Sequence, residues 1–223
     1  MVVIDIALEV TTVTPLSVGA GGSIGILADK SIMRDGWDRP IIPGSHLKGR
    51  TRHAAEAIAA TFGLFMPADN DAEADTPIRR IFGSPQYRSP LSFFSLIGAA
   101  SVGGSAPGES MVMHGSQSGI RPSVAINRRR GTADDKRLLF QETALEGLRF
   151  SANPAICGAL PDLGHVALLW VALRTVDRWG GAKSRGLGWA TTTIAVTAND
   201  HPVVPDDLER ELRALVARGG KAQ

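Results

Sequence analysis

The chain has 223 residues, 43% of them hydrophobic and 21% charged, and its 24 Lys and Arg against 22 Asp and Glu leave a formal net charge of +2. That composition supports a packed core and excludes wholesale disorder, and one cysteine, Cys157, excludes an internal disulfide framework or a cysteine-built zinc site. The longest apolar run, around Val166 to Leu173, is too short to span a bilayer, and MVVIDIALEV lacks a basic signal-peptide region, so a soluble, cytoplasmic protein with no membrane partner is expected.

In chain order, residues 2 to 14 read as a strand, because Val2, Ile4, Ile6, Leu8 and Val10 alternate with mostly polar neighbours. Pro15 ends it, and a loop with Gly19, Gly21, Gly22 and Gly25 follows; Ile32 and Met33 can pair briefly before the turn at Asp35 and Gly36. Ser45 is a suitable N-cap for a helix with Leu47, Ala54, Ala55, Ile58 and Ala59 facing inward. Residues 63 to 80 read as a loop insertion. Ser92 to Ala100 and Met111 to Met113 read as strands, separated by a Gly/Ser/Pro-rich tip, and Ser123 to Ile126 and Leu138 to Ser151 look extended again. Leu163, Val166, Ala167, Trp170, Leu173 and Val176 follow helical spacing. A glycine-rich loop from Trp179 to Gly188, a strand from Trp189 to Thr197 and a helix from Asp206 to Ala217 complete the chain. This order predicts an α+β fold, a ferredoxin-like sandwich with large insertions, and no linker divides it.

The cations cluster more than the net charge suggests: Lys48, Arg50 and Arg52; Arg128, Arg129 and Arg130; Arg178, Lys183 and Arg185. Local basic loops on a near-neutral body fit a polyanion bound along a track, although any one cluster can be ordinary solvated charge. GSHLKGRT, residues 44 to 51, comes close to a nucleotide-binding loop, but Arg50 stands where a lysine belongs, which argues against nucleotide hydrolysis. The same residues suit phosphates at a helix start.

Asp69, Asp71, Glu73 and Asp75 have the alternation of a calcium loop but lack its central glycine (Ala74) and closing glutamate (Arg80), and read as a solvated loop. His46, His53, His114, His165 and His201 show no metal-ligand spacing, and His165 reads as a core histidine on an apolar helix. In GGAKSRGLGW, Lys183 and Arg185 lie inside the turn itself, where glycines admit a close backbone approach. That suits a sugar-phosphate chain; ordinary tight turns are the plain alternative.

Jointly, IIPGSHLKGRTR, the early glycine loop, RIFGSP and GGAKSRGLG resemble the RAMP superfamily (repeat-associated mysterious proteins) of CRISPR systems, in particular the repeated backbone subunit of type III effector complexes. The likeness runs from residue 1 to about 198 and includes residues 121 to 150. It implies a single RAMP domain over 1–223 with an RNA-recognition-motif-like core, insertions near 63–80 and 101–120, a protruding β-hairpin thumb and a C-terminal helix. The loop from Gly103 to Ser110 is one candidate for the thumb or for subunit contacts.

The resemblance further implies copies stacked head to tail along a guide CRISPR RNA, other type III subunits as partners, and a target RNA interrupted by the thumbs. RNA contacts carry over to Gly19, Gly21, Gly22, Ser45, Lys48, Gly49, Arg50, Arg52, Arg128, Gly180, Gly181, Lys183, Ser184, Arg185 and Gly186. In cleaving members a loop aspartate promotes metal-dependent cutting; matching ADKSIMRD places it at Asp29, as catalytic residue and as ligand of Mg²⁺ or Mn²⁺ completed by RNA phosphate. Asp35 and Asp38 read as turn residues. Ser17 stands where the family often has a histidine, and the guide contacts of that loop depart accordingly. A non-cleaving guide-binding subunit is the alternative; a guide-processing endoribonuclease fits less well, since it usually carries an earlier histidine than His46.

Overall fold

The computed structural model describes residues 1–21, 28–64, 76–100 and 117–219. Strand β1, Val2–Thr12, realises the predicted alternation: Ile4, Ile6, Leu8 and Val10 are buried while Val3 and Asp5 face outward. Each such buried side chain contributes about 1.5–3 kcal/mol, which fixes which face of β1 turns inward, since a slip of one residue would expose the whole set. β1 pairs antiparallel with two strands, β7 (Leu148–Leu160) and β8 (Ala190–Ala198). Beyond β7 lie β4 (Leu96–Ala100) and β2 (Ile41–Ile42), and beyond β8 lies β9 (His201–Val203), giving the order β2-β4-β7-β1-β8-β9. β3, Leu91–Phe93, adds to another part of β7. The fold is α+β with an antiparallel sheet.

Helices α1 (Gly44–Thr61) and α3 (Leu163–Thr175) bring Leu47, Ala55, Val166 and Leu169 into one cluster with Ile6, Val10, Phe150 and Ile156. Helix α4, Pro205–Gly219, packs on α3 through Leu208 and Leu215. Sandwiched between neighbours, α3 is buried at most of its positions, as an apolar helix covered on several sides must be. His165 lies there as expected, its Nδ1 2.8 Å from Asp162 Oδ1, the carboxylate that caps the helix.

Several boundaries differ from the expectations, each for a local reason. The N-cap of α1 is Pro43, without a side-chain cap, and Ser45 lies exposed inside the first turn. Packing sets this start: a Cβ on Gly44 would come 2.1 Å from the Phe93 carbonyl oxygen, so the chain approaches β3 as only glycine permits. Within the predicted 63–80 loop, a short helix α2, Pro77–Phe82, forms because Thr76 caps Arg79 N–H and Pro77 opens the first turn. The single strand expected from Ser92 to Ala100 is two, β3 and β4, meeting different stretches of β7. The acidic run at Asp69 to Asp75, the Gly103 to Ser110 loop, Met111 to Met113 and His114 lie outside the described residues.

The stretches predicted as extended at 123–126 and 138–151 belong to three longer strands. β5 (Ser118–Asn127) and β6 (Thr132–Ala144) form a two-stranded antiparallel ribbon apart from the main sheet, and a turn with Gly147 at φ 75 separates β6 from β7. At the ribbon's base Leu16 and Ala144 exchange backbone hydrogen bonds, 3.0 and 2.7 Å. Among the described residues no helix is long and apolar enough to cross a membrane.

Candidate nucleic-acid interface

The two glycine loops, far apart in sequence, lie against one another. Gly181 N–H donates to the Ser17 carbonyl at 2.7 Å, Gly188 N–H donates to the Pro15 carbonyl at 3.0 Å, and Gln141 Nε2 donates to Ser17 Oγ at 2.7 Å. Two glycines make this possible. Gly180 and Gly188 have φ of 72° and 83°, and a Cβ there would lie 2.4 Å from the Ser17 carbonyl oxygen and 1.9 Å from that of Trp179. Between them a single 3-10 turn, Lys183–Arg185, carries the loop's cations.

The start of α1 is fastened to the same loop. His46 Nε2 accepts the Gly180 N–H at 3.0 Å, and its ring lies 6.3 Å from that of the buried Trp179. Burial, followed by the positive charges of Arg50 and Lys183, pushes the His46 pKa down to about 4, so the ring is neutral at pH 7 and its Nε2 stays an acceptor.

The cations crowd each other. Burial, then Arg50 and Arg178, lower the Lys183 pKa, with Asp177 opposing, and burial followed by Arg52 lowers that of Lys48. Arg50 Nε is buried without a hydrogen-bond partner among the described residues, whereas Arg52 pairs with Glu56 at 2.7 Å. Like charges held together in this way favour an anionic ligand that restores neutrality.

Beside this cluster opens a cavity of about 740 Å³ lined by Ser17, Gly19, Gly21, Asp29, Lys30, Ser31, Gln141, Gly181, Ala182, Ser184 and Arg185. It unites both glycine loops with the exposed carboxylate of Asp29. The segment bearing Asp29 is stapled to β6: Asp29 N–H donates to the Phe140 carbonyl (2.9 Å) and Asp29 Oδ2 accepts from Phe140 N–H (2.8 Å). Further along, Glu142 accepts from Ile32 N–H (3.1 Å), Ser118 Oγ (2.7 Å) and Arg34 (2.6 Å). Burial alone would raise the Glu142 pKa, but these donors outweigh it and hold the carboxyl below its usual range.

Residues 9–191 match the RAMP superfamily. This chain belongs to that superfamily. Over 87 residues the RAMP chain is also 37% identical to a protein of Enterococcus italicus named CRISPR system Cms endoribonuclease Csm3; the match covers 37% of this chain and 39% of that relative.

Of the residues expected to form the site in this RAMP protein, Gly19, Gly21, Asp29, Gly181, Ser184 and Arg185 line one cavity, and Gly180, Lys183 and Gly186 belong to the loop forming its wall. Ser45, Lys48, Gly49, Arg50 and Arg52 ride on α1, joined to that loop through His46. Arg128 does not join them. It lies in the exposed turn at the ribbon tip, about 30 Å from the base for ten extended residues. Gly22 lies outside the described residues.

Residue by residue, the sequence pointed away from His46, which showed no ligand spacing, yet its place inside PGSHLKGR was the available signal. Gln141 and Glu142 lay within the family-like stretch 121 to 150, but no role could be read for them there, because it comes from strand register.

The described residues around Asp29 do not by themselves make a site for a resident metal. Among the described residues no group of three or more His, Cys, Asp or Glu could hold an ion. Asp29 offers one carboxylate, with one oxygen already engaged by Phe140 N–H. Mg²⁺ requires six oxygen ligands, so nearly all would have to come from a bound ligand and water.

Proposed function

We propose that this protein is a backbone subunit of a type III CRISPR effector that binds guide RNA along a filament and cleaves complementary target RNA endonucleolytically. The observation carrying this reading is the cavity in which Asp29 meets both glycine loops. Lys48, Arg50, Arg52, Lys183 and Arg185, with the backbone N–H groups of the two loops, would grip phosphates with little regard for sequence. Strand order β4-β7-β1-β8, with α1 after β1 and α3 after β7, supports a ferredoxin-like core within one RAMP domain. The β5–β6 ribbon is the thumb in this reading, in place of the loop at Gly103 to Ser110. A heterologous contact that does not close would stack copies into an open filament whose length the guide sets, alongside other type III subunits in the cytoplasm.

For cleavage, RNA carries its own nucleophile. The 2′-oxygen would attack the adjacent phosphorus, the bond to the 5′-oxygen would break and that oxygen would take a proton from water, leaving a 2′,3′-cyclic phosphate and a 5′-hydroxyl. Asp29 would orient the 2′-hydroxyl or accept its proton through Oδ1, since Oδ2 is held by Phe140 N–H. Metal dependence is a property we assign to the protein–RNA complex, where RNA phosphate completes the ligand set.

One observation favours a second reading, a guide-binding subunit that does not cut: Asp29 already has a structural task in holding Phe140. The test is a cleavage assay on protein assembled with guide RNA, comparing wild type with Asp29→Asn and Mg²⁺ with EDTA on labelled complementary RNA. Evenly spaced cuts that need metal and vanish in the variant, with guide binding retained, are expected. An assembled wild-type filament that leaves the target intact would establish the scaffold instead.

A further inference from the structure

Trp189 is distinctive among the four tryptophans. Trp179 and Trp170 are core residues, 0% and 4% exposed, and the exposed Trp37 stands beside Arg34, Asp35, Asp38 and Arg39, where the charges balance. Trp189 is 41% exposed and follows directly on the second glycine loop. A lone surface aromatic carries little meaning by itself. Here, however, the backbone beneath the ring is clamped on several sides. Trp189 N–H donates to Thr14 Oγ1 at 3.0 Å, and its carbonyl accepts from Val13 and Thr14 N–H at 2.8 and 3.2 Å. The neighbouring Gly188 lies where any side chain would strike the Trp179 carbonyl.

The ring is also tied to the cationic cluster. Arg178 bridges to Trp189 through the backbone and lays its guanidinium over the indole, 4.7 Å from the centroid. The same Arg178, with Arg50, depresses the Lys183 pKa after burial has done so. Arg178 keeps a loose contact with Asp177, 3.6 Å, and its side chain remains 37% exposed. A rigid aromatic face next to cations that bind phosphate is the arrangement by which single-stranded nucleic acid is held through its bases as well as its backbone.

We infer that Trp189, backed by Arg178, is a base-stacking platform at the edge of the phosphate-gripping track, holding one nucleobase of the bound strand. This rests on the RNA-binding reading above and adds to it a contact that is insensitive to salt. Phosphate contacts release counterions, so losing one flattens the dependence of affinity on salt by about one unit of slope, whereas losing a stack leaves the slope alone.

The test uses the full chain and a short unstructured single-stranded RNA, with affinity measured across a salt series for wild type, Trp189→Ala, Trp189→Phe and Lys183→Ala. Trp189→Ala is expected to bind about tenfold more weakly at every salt concentration, with Trp189→Phe intermediate and Lys183→Ala weaker with a shallower slope. Tryptophan emission provides a measurement independent of the alanine variant's folding: RNA should quench the wild type, and the quench should shrink sharply in Trp189→Phe. Wild-type affinity in Trp189→Ala beside a weakened Lys183→Ala, or an undiminished quench in Trp189→Phe, would overturn the platform and leave RNA binding standing. Unchanged RNA affinity with reduced self-association in sedimentation would assign the ring to a protein contact and overturn it too. No salt-dependent RNA binding by wild type would sink both readings together.

Discussion

The late glycine loop and the Asp29 segment face each other across one cavity but are held in different ways. The loop is locked from several directions: Gly180 and Gly188 touch backbone, His46 reaches across from α1, and Trp179 is buried beneath. The Asp29 segment hangs by hydrogen bonds along its two edges. β6, at the root of an exposed ribbon, holds it through backbone bonds, the Asp29 carboxylate and Glu142. The early glycine loop holds it where Ala20 N–H donates to the Ser31 carbonyl and Met33 N–H to the Val18 carbonyl. Under the proposed function, the difference separates two tasks. A surface that grips phosphates benefits from rigidity, and a carboxylate placed beside a reacting strand needs its position set by the element that also meets the strand.

The largest expected effect breaks the rigid side. Gly188→Ala puts a Cβ against the Trp179 carbonyl at a left-handed φ, where neither backbone can yield, and about 3 kcal/mol of stability should be lost. Gly186→Ala is the matched control. Its φ of 80° is equally left-handed, but nothing lies within 4 Å, so about 1 kcal/mol is expected. Denaturant unfolding of the pair measures how much of the loop's rigidity is close contact and how much is backbone preference; equal losses would refute the contact argument.

Glu142→Gln attacks the other side. Removing the charge that pairs with Arg34 at 2.6 Å should cost about 2 kcal/mol, and amide exchange should speed at Ile32 and along the Asp29 segment while Gly180 and Gly181 stay protected. Equal loosening of both regions would mean they form one unit after all.

His46 makes the rigid side sensitive to acid. Its folded pKa of about 4 lies below the ordinary 6.5, so the unfolded chain binds the extra proton between these values. The His46 contribution is complete above about pH 6.5 and is lost as pH falls through about 4, an effect of about 2 kcal/mol once solvent screening is allowed for. Thermal melts of wild type and His46→Gln over that window should converge at low pH; parallel curves would show that His46 does not carry the effect.

The smallest change is expected from Asp29→Asn, about 0.5 kcal/mol, because an amide oxygen still accepts from Phe140 N–H. That near-neutrality makes the variant suitable for the cleavage assay, and a large drop in melting temperature would reveal a mainly structural Asp29.

Much of this division was legible without coordinates. Alternation in β1, the apolar stretch of α3, the terminal amphipathic helix and the two glycine loops each follow from local pattern, because period and turn chemistry act within a few residues. The α+β class, the presence of a basic surface and the RAMP likeness of its motifs follow from the same local information. Tertiary structure decided what depends on residues distant in sequence. It put the start of α1 at Gly44, because the Phe93 carbonyl approaches from another strand, and it made a ribbon of Ser118 to Ala144 by cross-strand register. It neutralised His46 through burial among Arg50 and Lys183, gave Glu142 its donors, and set Arg128 at a ribbon tip away from the cations it resembles in sequence. Such properties arise from long-range packing and electrostatics, which no short window of sequence contains.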